Sequence, residues 1–413
     1  MTTEHYDSLE TRDPEARVRD QFAQLQKQIA FAKAHSALFA RTLQHVDPQA
    51  VTTPEALAQL PVIRKSELAQ LQKDARPFGG LATTRYGTMR RVFVSPGGIC
   101  EPEGAAPDYW RLARALFAAG FREGNLVHNA FSYHFTPAGS MLETGLHALG
   151  CTVFPAGTGQ TEQQVAAMAD LGPDGYVGTP SFLRIILERA DELGVALPSL
   201  AKALVSAEPF PPALRDALIA RGIQGYQVYA TADVGSIAYE TPARDGLVVD
   251  EGVIVEIVRP GTGEPLPAGQ VGEVVVTPLV NADYPLIRFG TGDLSATLPG
   301  VSACGRTNAR IKGWLGRADQ TTKVKGMFVH PAQVDAIVKR HPEVKRARLV
   351  VDNAAGGDRM MLHVEVCGVE PQLADAIVAS IRDVTKLRGE VTFRAVDELP
   401  NDGKVIDDLR KLE

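Results

Sequence analysis

The sequence predicts an α/β protein of two units, a large one over residues 1–316 and a small one over residues 317–413. Three observations lead there. Short apolar runs alternate with stretches of helical spacing from about residue 91 onward. After about Gly246 the pattern changes to short strands separated by Gly and Pro turns. The 413 residues also exceed the size at which one core normally suffices.

Residues 14–41 place Ala, Leu, Ile and Phe at helical intervals, and Thr53-Pro54-Glu55 and Arg64-Lys65-Ser66-Glu67 read as further helix starts. A strand over 91–94 breaks at Ser95-Pro96-Gly97-Gly98, and helical spacing then runs over 109–119 to Gly120. Strands follow at 126–127, 152–154, 176–177, 203–205 and 227–229, with helices around 141–149 and 162–171. The apolar runs 253–258 and 272–276 predict a partly antiparallel sheet or a small barrel. A boundary is expected at Gly316-Arg317-Ala318-Asp319, with strands at 348–351 and 361–366 beyond it.

Composition narrows the function. A formal net charge of -6, with no basic tract, argues against nucleic acid as the partner and for a small molecule. No apolar run approaches the ~18 residues of a membrane span, and the first residues lack a basic segment followed by an apolar one, so a cytoplasmic protein is expected. Cys100, Cys151, Cys304 and Cys367 form no CxxC pair, which leaves reduced thiols as the expectation.

An ordered set of segments spans nearly the whole chain: Asn129-Ala130-Phe131, Gly178-Thr179-Pro180-Ser181, Ser206-Ala207-Glu208-Pro209, Tyr229-Ala230-Thr231-Ala232-Asp233, the run from Ile287 through Arg288 to Leu294, Gly316-Arg317-Ala318-Asp319, and Gly403-Lys404. This order resembles the phenylacetate-coenzyme A ligase branch of the adenylate-forming enzymes. The resemblance implies a large multi-sheet N-terminal domain that binds AMP and the acyl group, and a small mobile α+β C-terminal domain. It implies conversion of a small carboxylic acid, aromatic acids included, and ATP to an acyl adenylate, then displacement of AMP by coenzyme A, with Mg2+ as cofactor and a homodimer as the default assembly. The chemistry is coherent, because a carboxylate becomes a good acyl donor only once its oxygen belongs to a good leaving group.

By the same resemblance Asp293 holds the ribose hydroxyls, Arg317 approaches the nucleotide, Asp319 is the hinge, and Lys404 enters the site during adenylation. Lys325-Gly326 faces coenzyme A, Ala207-Glu208-Pro209 lines the adenine site, and Tyr229 stacks on the base or closes the acyl pocket. Phe131, Tyr133, His134 and Phe135 form the aromatic turn that admits the acid. Each residue also has a plainer reading: a turn-stabilising Asp293, a solvated ion pair at Arg317, an exposed lysine at Lys404, a β-turn at Lys325-Gly326, a core aromatic at Tyr229.

Two departures stand out. The family's phosphate loop reads approximately Ser-Ser-Gly-Thr-Thr-Gly-Lys-Pro, whereas this chain has Ser95-Pro96-Gly97-Gly98-Ile99-Cys100-Glu101-Pro102. Pro96 has no N–H to donate, the threonine hydroxyls are gone, and Glu101 puts an anion where the family has a cation. Ser95, Gly97 and Gly98 are the remaining candidates for holding phosphate. Asp233 stands where a glutamate is usual, keeping the charge that places Mg2+ but shortening its reach. The alternatives are a catalytically degenerate nucleotide or acyl-adenylate binding protein, and an adenylating enzyme that uses a carrier protein or an amine. Cys100, His128 and His134, with His147 or Asp233 as a fourth ligand, are the residue types of a zinc site, but their spacing forms no ligand motif.

Overall fold

Five parallel strands form the heart of the larger unit: Leu126–Asn129, Thr152–Phe154, Gly175–Gly178, Lys202–Val205 and Gln224–Thr231. They belong to a computed structural model that describes residues 4–95, 97–315, 317–318, 322–324, 327–329, 331–353, 358–366, 368, 372–400 and 404–410. The chain divides into two compact units, Met1–Leu315 and Gly316–Glu413.

The inner parallel strands Leu126–Asn129, Gly175–Gly178 and Lys202–Val205 are largely buried on both faces, as sheets of this type require, while the edge strand Thr152–Phe154 is not. Alternate residues feed different cores: Val177 and Leu204 pack with Leu116, Phe121, Met141 and Leu146, while Tyr176, Ala203 and Val205 pack with Val165, Met168, Leu183 and Ile186. Gly235–Glu240, Leu247–Val249, Arg310–Ile311 and Thr297–Leu298 extend the sheet antiparallel to nine strands.

A second sheet of the same unit has the order Ile63–Arg64, Phe289–Ser295, Gly272–Pro278, Val253–Val258. It is open, so the sheet and not the barrel among the two expectations is what forms. Its short first strand lies parallel to Phe289–Ser295, pairing Ile63 with Phe289 and Arg64 with Gly290. The helix Lys65–Asp74 starts directly after it.

The helix expected over 109–119 shrinks to Ala113–Ala118. Asp108 and Arg111 are left-handed, at φ 46° and 59°. The Asp108 carboxylate accepts from the amides of Leu112 (2.7 Å) and Ala113 (3.0 Å), so it caps the helix from five residues upstream and holds the intervening turn out of it. Helical spacing alone did not reveal this competing cap.

The second unit is α+β. Its strands Glu390–Arg394, Arg359–Val366, Val344–Asp352 and Ile406–Asp408 form one mixed sheet, and the helices Pro331–Val338 and Leu373–Thr385 share its apolar core through Val334, Ile337, Ile377 and Ile381. Among the described residues, no helix is long and apolar enough to cross a membrane.

Candidate active site

Chain reversals at the carboxyl ends of parallel strands are where α/β sheets present ligand-binding groups. Here those ends deliver Phe131 after Leu126–Asn129, Thr179 after Gly175–Gly178, Ala207-Glu208-Pro209 after Lys202–Val205, and Tyr229 and Asp233 at the end of Gln224–Thr231. Ala207, Glu208 and Pro209 are all exposed, and Ala207 is left-handed at φ 69°. Glu208 accepts from the Ser181 amide at 3.4 Å, tying two of these turns together.

Asp293 sits in the strand Phe289–Ser295 of the second sheet and meets the first through Tyr229. The Tyr229 hydroxyl donates to Oδ2 at 2.9 Å, and the Trp314 indole N–H donates to Oδ1 at 3.2 Å. Thr291 Oγ1 accepts from the Asp293 amide at 3.1 Å and donates to the Val274 carbonyl at 3.0 Å, fixing the backbone beneath the carboxylate. Both carboxylate oxygens thus already work as hydrogen-bond acceptors, the capacity needed to hold a pair of vicinal hydroxyls. Trp314 was not singled out from the sequence; its position 21 residues beyond Asp293 gave no periodic signal.

Arg288, part of the same sequence motif, does not face this site. It is buried, ion-paired to Glu256 at 2.9 Å, and donates to the carbonyls of Ala58, Leu60 and Gly263. Its work is structural: the guanidinium fork ties the N-terminal segment to the second sheet.

The altered phosphate loop is a tight hairpin between Arg91–Ser95 and Ile99–Glu103, with Ser95 paired to Ile99. Gly97 and Gly98 take φ of 98° and 74°, values that glycine adopts without a Cβ penalty. Two of the three donors expected to face phosphate are engaged within the hairpin: the Gly98 amide on the Ser95 carbonyl (3.0 Å) and the Ser95 hydroxyl on Glu101 Oε1 (2.5 Å). Glu101 is buried, and burial together with the nearby Asp233 charge pushes its carboxyl up to about 7 against the opposing pull of Ser95 and Lys65.

Lys65 brings a positive charge close to Glu101 and Asp233. Its ammonium lies 2.5 Å from Asp233 Oδ2, which is fully buried. The sequence marked Lys65 only as part of a helix start, since its partner stands 168 residues away.

The aromatic turn splits in two. Phe131 is buried, and Tyr133 is held between Asn129, which donates to its hydroxyl at 2.8 Å, and Glu143, which accepts from it at 2.7 Å. Burial first, then Glu143, raises the Tyr133 phenol above its ordinary value. His134 and Phe135 point outward instead, Phe135 being 79% exposed. The left-handed Phe135 backbone, at φ 61°, and its carbonyl accepting from the Val94 amide at 2.8 Å explain that orientation.

Among the described residues, no group of three or more His, Cys, Asp or Glu side chains is placed to hold a metal ion. His128 is instead a buried core residue: its Nε2 pairs with Gln164 Oε1 at 2.7 Å, its ring stacks on Tyr176, and burial lowers its pKa. The Cys100 thiol is raised by burial and by Glu101. In the second unit Arg317 is half-buried, and Lys404 is exposed and paired with Asp407 at 3.1 Å. Asp319, Lys325 and Gly326 lie outside the described residues.

The profile of the AMP-binding enzyme family matches residues 111–278. A phenylacetate-coenzyme A ligase of Thermus thermophilus is 33% identical over 95% of this chain and 92% of its own length. The phenylacetate-coenzyme A ligase of Aromatoleum evansii is 32% identical over 82% of this chain and 79% of its own. Among solved structures, 2-hydroxyisobutyryl-CoA ligase in complex with 2-HIB-AMP and CoA shares the fold at a TM-score of 0.75, with 23% identity, over 100% of this chain and 95% of that one. The ordered motifs, the two-unit fold and these relatives together show that the chain belongs to the phenylacetate-coenzyme A ligase family of AMP-binding enzymes.

Proposed function

We propose that this chain joins a small carboxylic acid to coenzyme A at the expense of ATP, through an acyl adenylate. The observation that carries the reading is the Asp293 carboxylate, gripped by Tyr229 and Trp314 beside the strand ends, in a chain of this family. In this reading Asp293 takes the ribose hydroxyls, Tyr229 and the 207–209 segment border the adenine, and Phe131 and Tyr133 border the acyl group. An aromatic acid suits the apolar and aromatic character of that last pair. Arg317 and Lys404 of the second unit contribute cations toward the nucleotide, Asp319 serves as the hinge, and Lys325-Gly326 meets coenzyme A.

Asp233 fits a role in placing Mg2+: its Oδ1 is a buried oxygen without a hydrogen-bond partner among the described residues, and hard oxygen donors are what this ion takes. The ion supplies charge neutralisation at the polyphosphate. The protein's own part is to align the acid with the α-phosphate and to stabilise the charge that develops there.

The experiment is incubation of purified, folded protein with ATP, Mg2+, coenzyme A and a panel of aromatic and aliphatic acids, with mass spectrometry for AMP and acyl thioester. Formation of both supports the reading. Neither product across the panel overturns it. The inward-facing hairpin donors and Glu101 favour a second reading, a binding protein that holds nucleotide or acyl adenylate without turnover. AMP formed with a carrier protein or an amine, and not with coenzyme A, would reassign only the acceptor.

A further inference from the structure

If the chain handles ATP as proposed above, its polyphosphate needs a cation that the turn of the hairpin does not offer: the hairpin's Arg91 lies at its far end, paired with Glu103 at 3.0 Å. The hairpin turns two of its candidate donors inward: Gly98 N–H is committed to the Ser95 carbonyl and Ser95 Oγ to Glu101. The carboxyl nearest the turn, Glu101, belongs to the wrong charge class. A triphosphate carries several negative charges, and a site without a matching cation would pay the full cost of desolvating them.

The helix Lys65–Asp74 packs directly against this hairpin. Lys65, Leu68 and Gln72 recur at helical intervals on one face. Leu68 is buried in the core, and Gln72 clamps the hairpin strand by accepting from the Cys100 amide at 2.7 Å and donating to the Cys100 carbonyl at 2.8 Å. The same face therefore presents Lys65 beside Glu101, and the ammonium reaches Asp233 on the turn after Gln224–Thr231. Lys65 thus stands between the hairpin and the Asp233 turn, the two segments that flank the phosphates in the proposed function.

We propose that Lys65 is the cation that contacts the polyphosphate of the bound nucleotide, delivered by the helix Lys65–Asp74 in place of a lysine in the hairpin. An ammonium has three N–H donors, so Lys65 can keep Asp233 and engage phosphate oxygens together. Its side chain is 24% exposed, which leaves a path for an anion to approach. Asp233 holds the ammonium in position before the nucleotide arrives, so little side-chain entropy remains to be lost on binding. No covalent step is assigned to Lys65; its contribution is electrostatic.

The inference separates ATP from AMP. Calorimetric titrations of wild type, K65M and K65R with ATP plus Mg2+, and separately with AMP, provide the test, with thermal melting to establish folding. K65M is expected to weaken ATP by about tenfold or more, the usual effect of deleting a charge-assisted hydrogen bond, while AMP stays within about twofold. K65R is expected to lie between, because it restores charge with a different reach. Equal weakening of ATP and AMP, or no change in either, overturns the assignment. A wild type that forms thioester while K65M binds ATP normally overturns only the role of Lys65. A wild type that binds neither nucleotide overturns the functional reading as well. If K65M does not fold, K65R and wild type carry the same comparison, and identical ATP and AMP affinities in these two would reject a geometry-dependent phosphate contact.

Discussion

The Tyr229 hydroxyl donates to Asp293 at 2.9 Å, joining the end of a strand in the nine-stranded sheet to a strand of the four-stranded sheet. Asp293 is therefore positioned from both sheets before any ligand enters. Asp293→Asn keeps the shape but removes the charge and one acceptor. It is expected to weaken AMP binding by about 2 kcal/mol, roughly thirtyfold, measured by calorimetry on protein whose melting temperature is unchanged. Unaltered AMP affinity would remove Asp293 from the site.

Trp314 reports on the same carboxylate. The chain has two tryptophans, Trp110 in the core and Trp314 with half of its surface exposed. A ribose on Asp293 must share or displace the indole N–H, so AMP is expected to change the tryptophan emission. Trp314→Phe should abolish that change; persistence of the signal in the variant would assign it to Trp110 and count against ribose at Asp293.

Glu101 makes stability depend on pH. Its folded-state pKa, about 7, lies above the ordinary 4.5, so the folded protein binds this proton more tightly than the unfolded chain. The associated stabilisation is complete below about 4.5 and is lost as pH rises toward and through about 7. Glu101→Gln, which cannot ionise, should therefore gain on wild type by up to about 3 kcal/mol between pH 5 and pH 8 in urea unfolding. Parallel pH profiles for the two proteins would contradict this.

Arg288→Met should destabilise the fold and leave the remaining folded protein able to bind AMP. The substitution strands the Glu256 carboxylate and three backbone carbonyls. Removing one partner of a buried pair costs about 3–5 kcal/mol. Denaturant midpoints test the loss. A large drop in AMP affinity at full folding would restore a ligand-facing role.

Lys404→Ala is expected to slow adenylation more than thioester formation from a supplied acyl adenylate, because the proposed contact belongs to the first half-reaction only. Equal losses in both half-reactions would reject that role.

Sequence periodicity revealed most strands and helices because each is dictated by residues close together in the chain. It overextended the helix at 109–119 because the Asp108 cap depends on side-chain geometry. Among residues of the candidate site, Asp293 and Tyr229, which the structure brings together, were singled out from motif order. Lys65 was not, because its meaning depends on Asp233, and Trp314 was not, because only the fold brings its indole N–H to Asp293. Glu101 was legible as an anomaly. Its burial, and hence its tendency to keep a proton near neutrality, required the packing of the hairpin.

The short strand at Ile63–Arg64 has a consequence for biosynthesis. Its neighbour Leu60 receives the Arg288 guanidinium from 228 residues further along the chain. During synthesis from the N-terminus, the opening helices emerge long before the strand that completes their seam. Contacts of such long sequence separation close slowly. The early segment therefore has an interval with its apolar face uncovered, and a ribosome-bound chain truncated before Arg288 should be the species most dependent on chaperones.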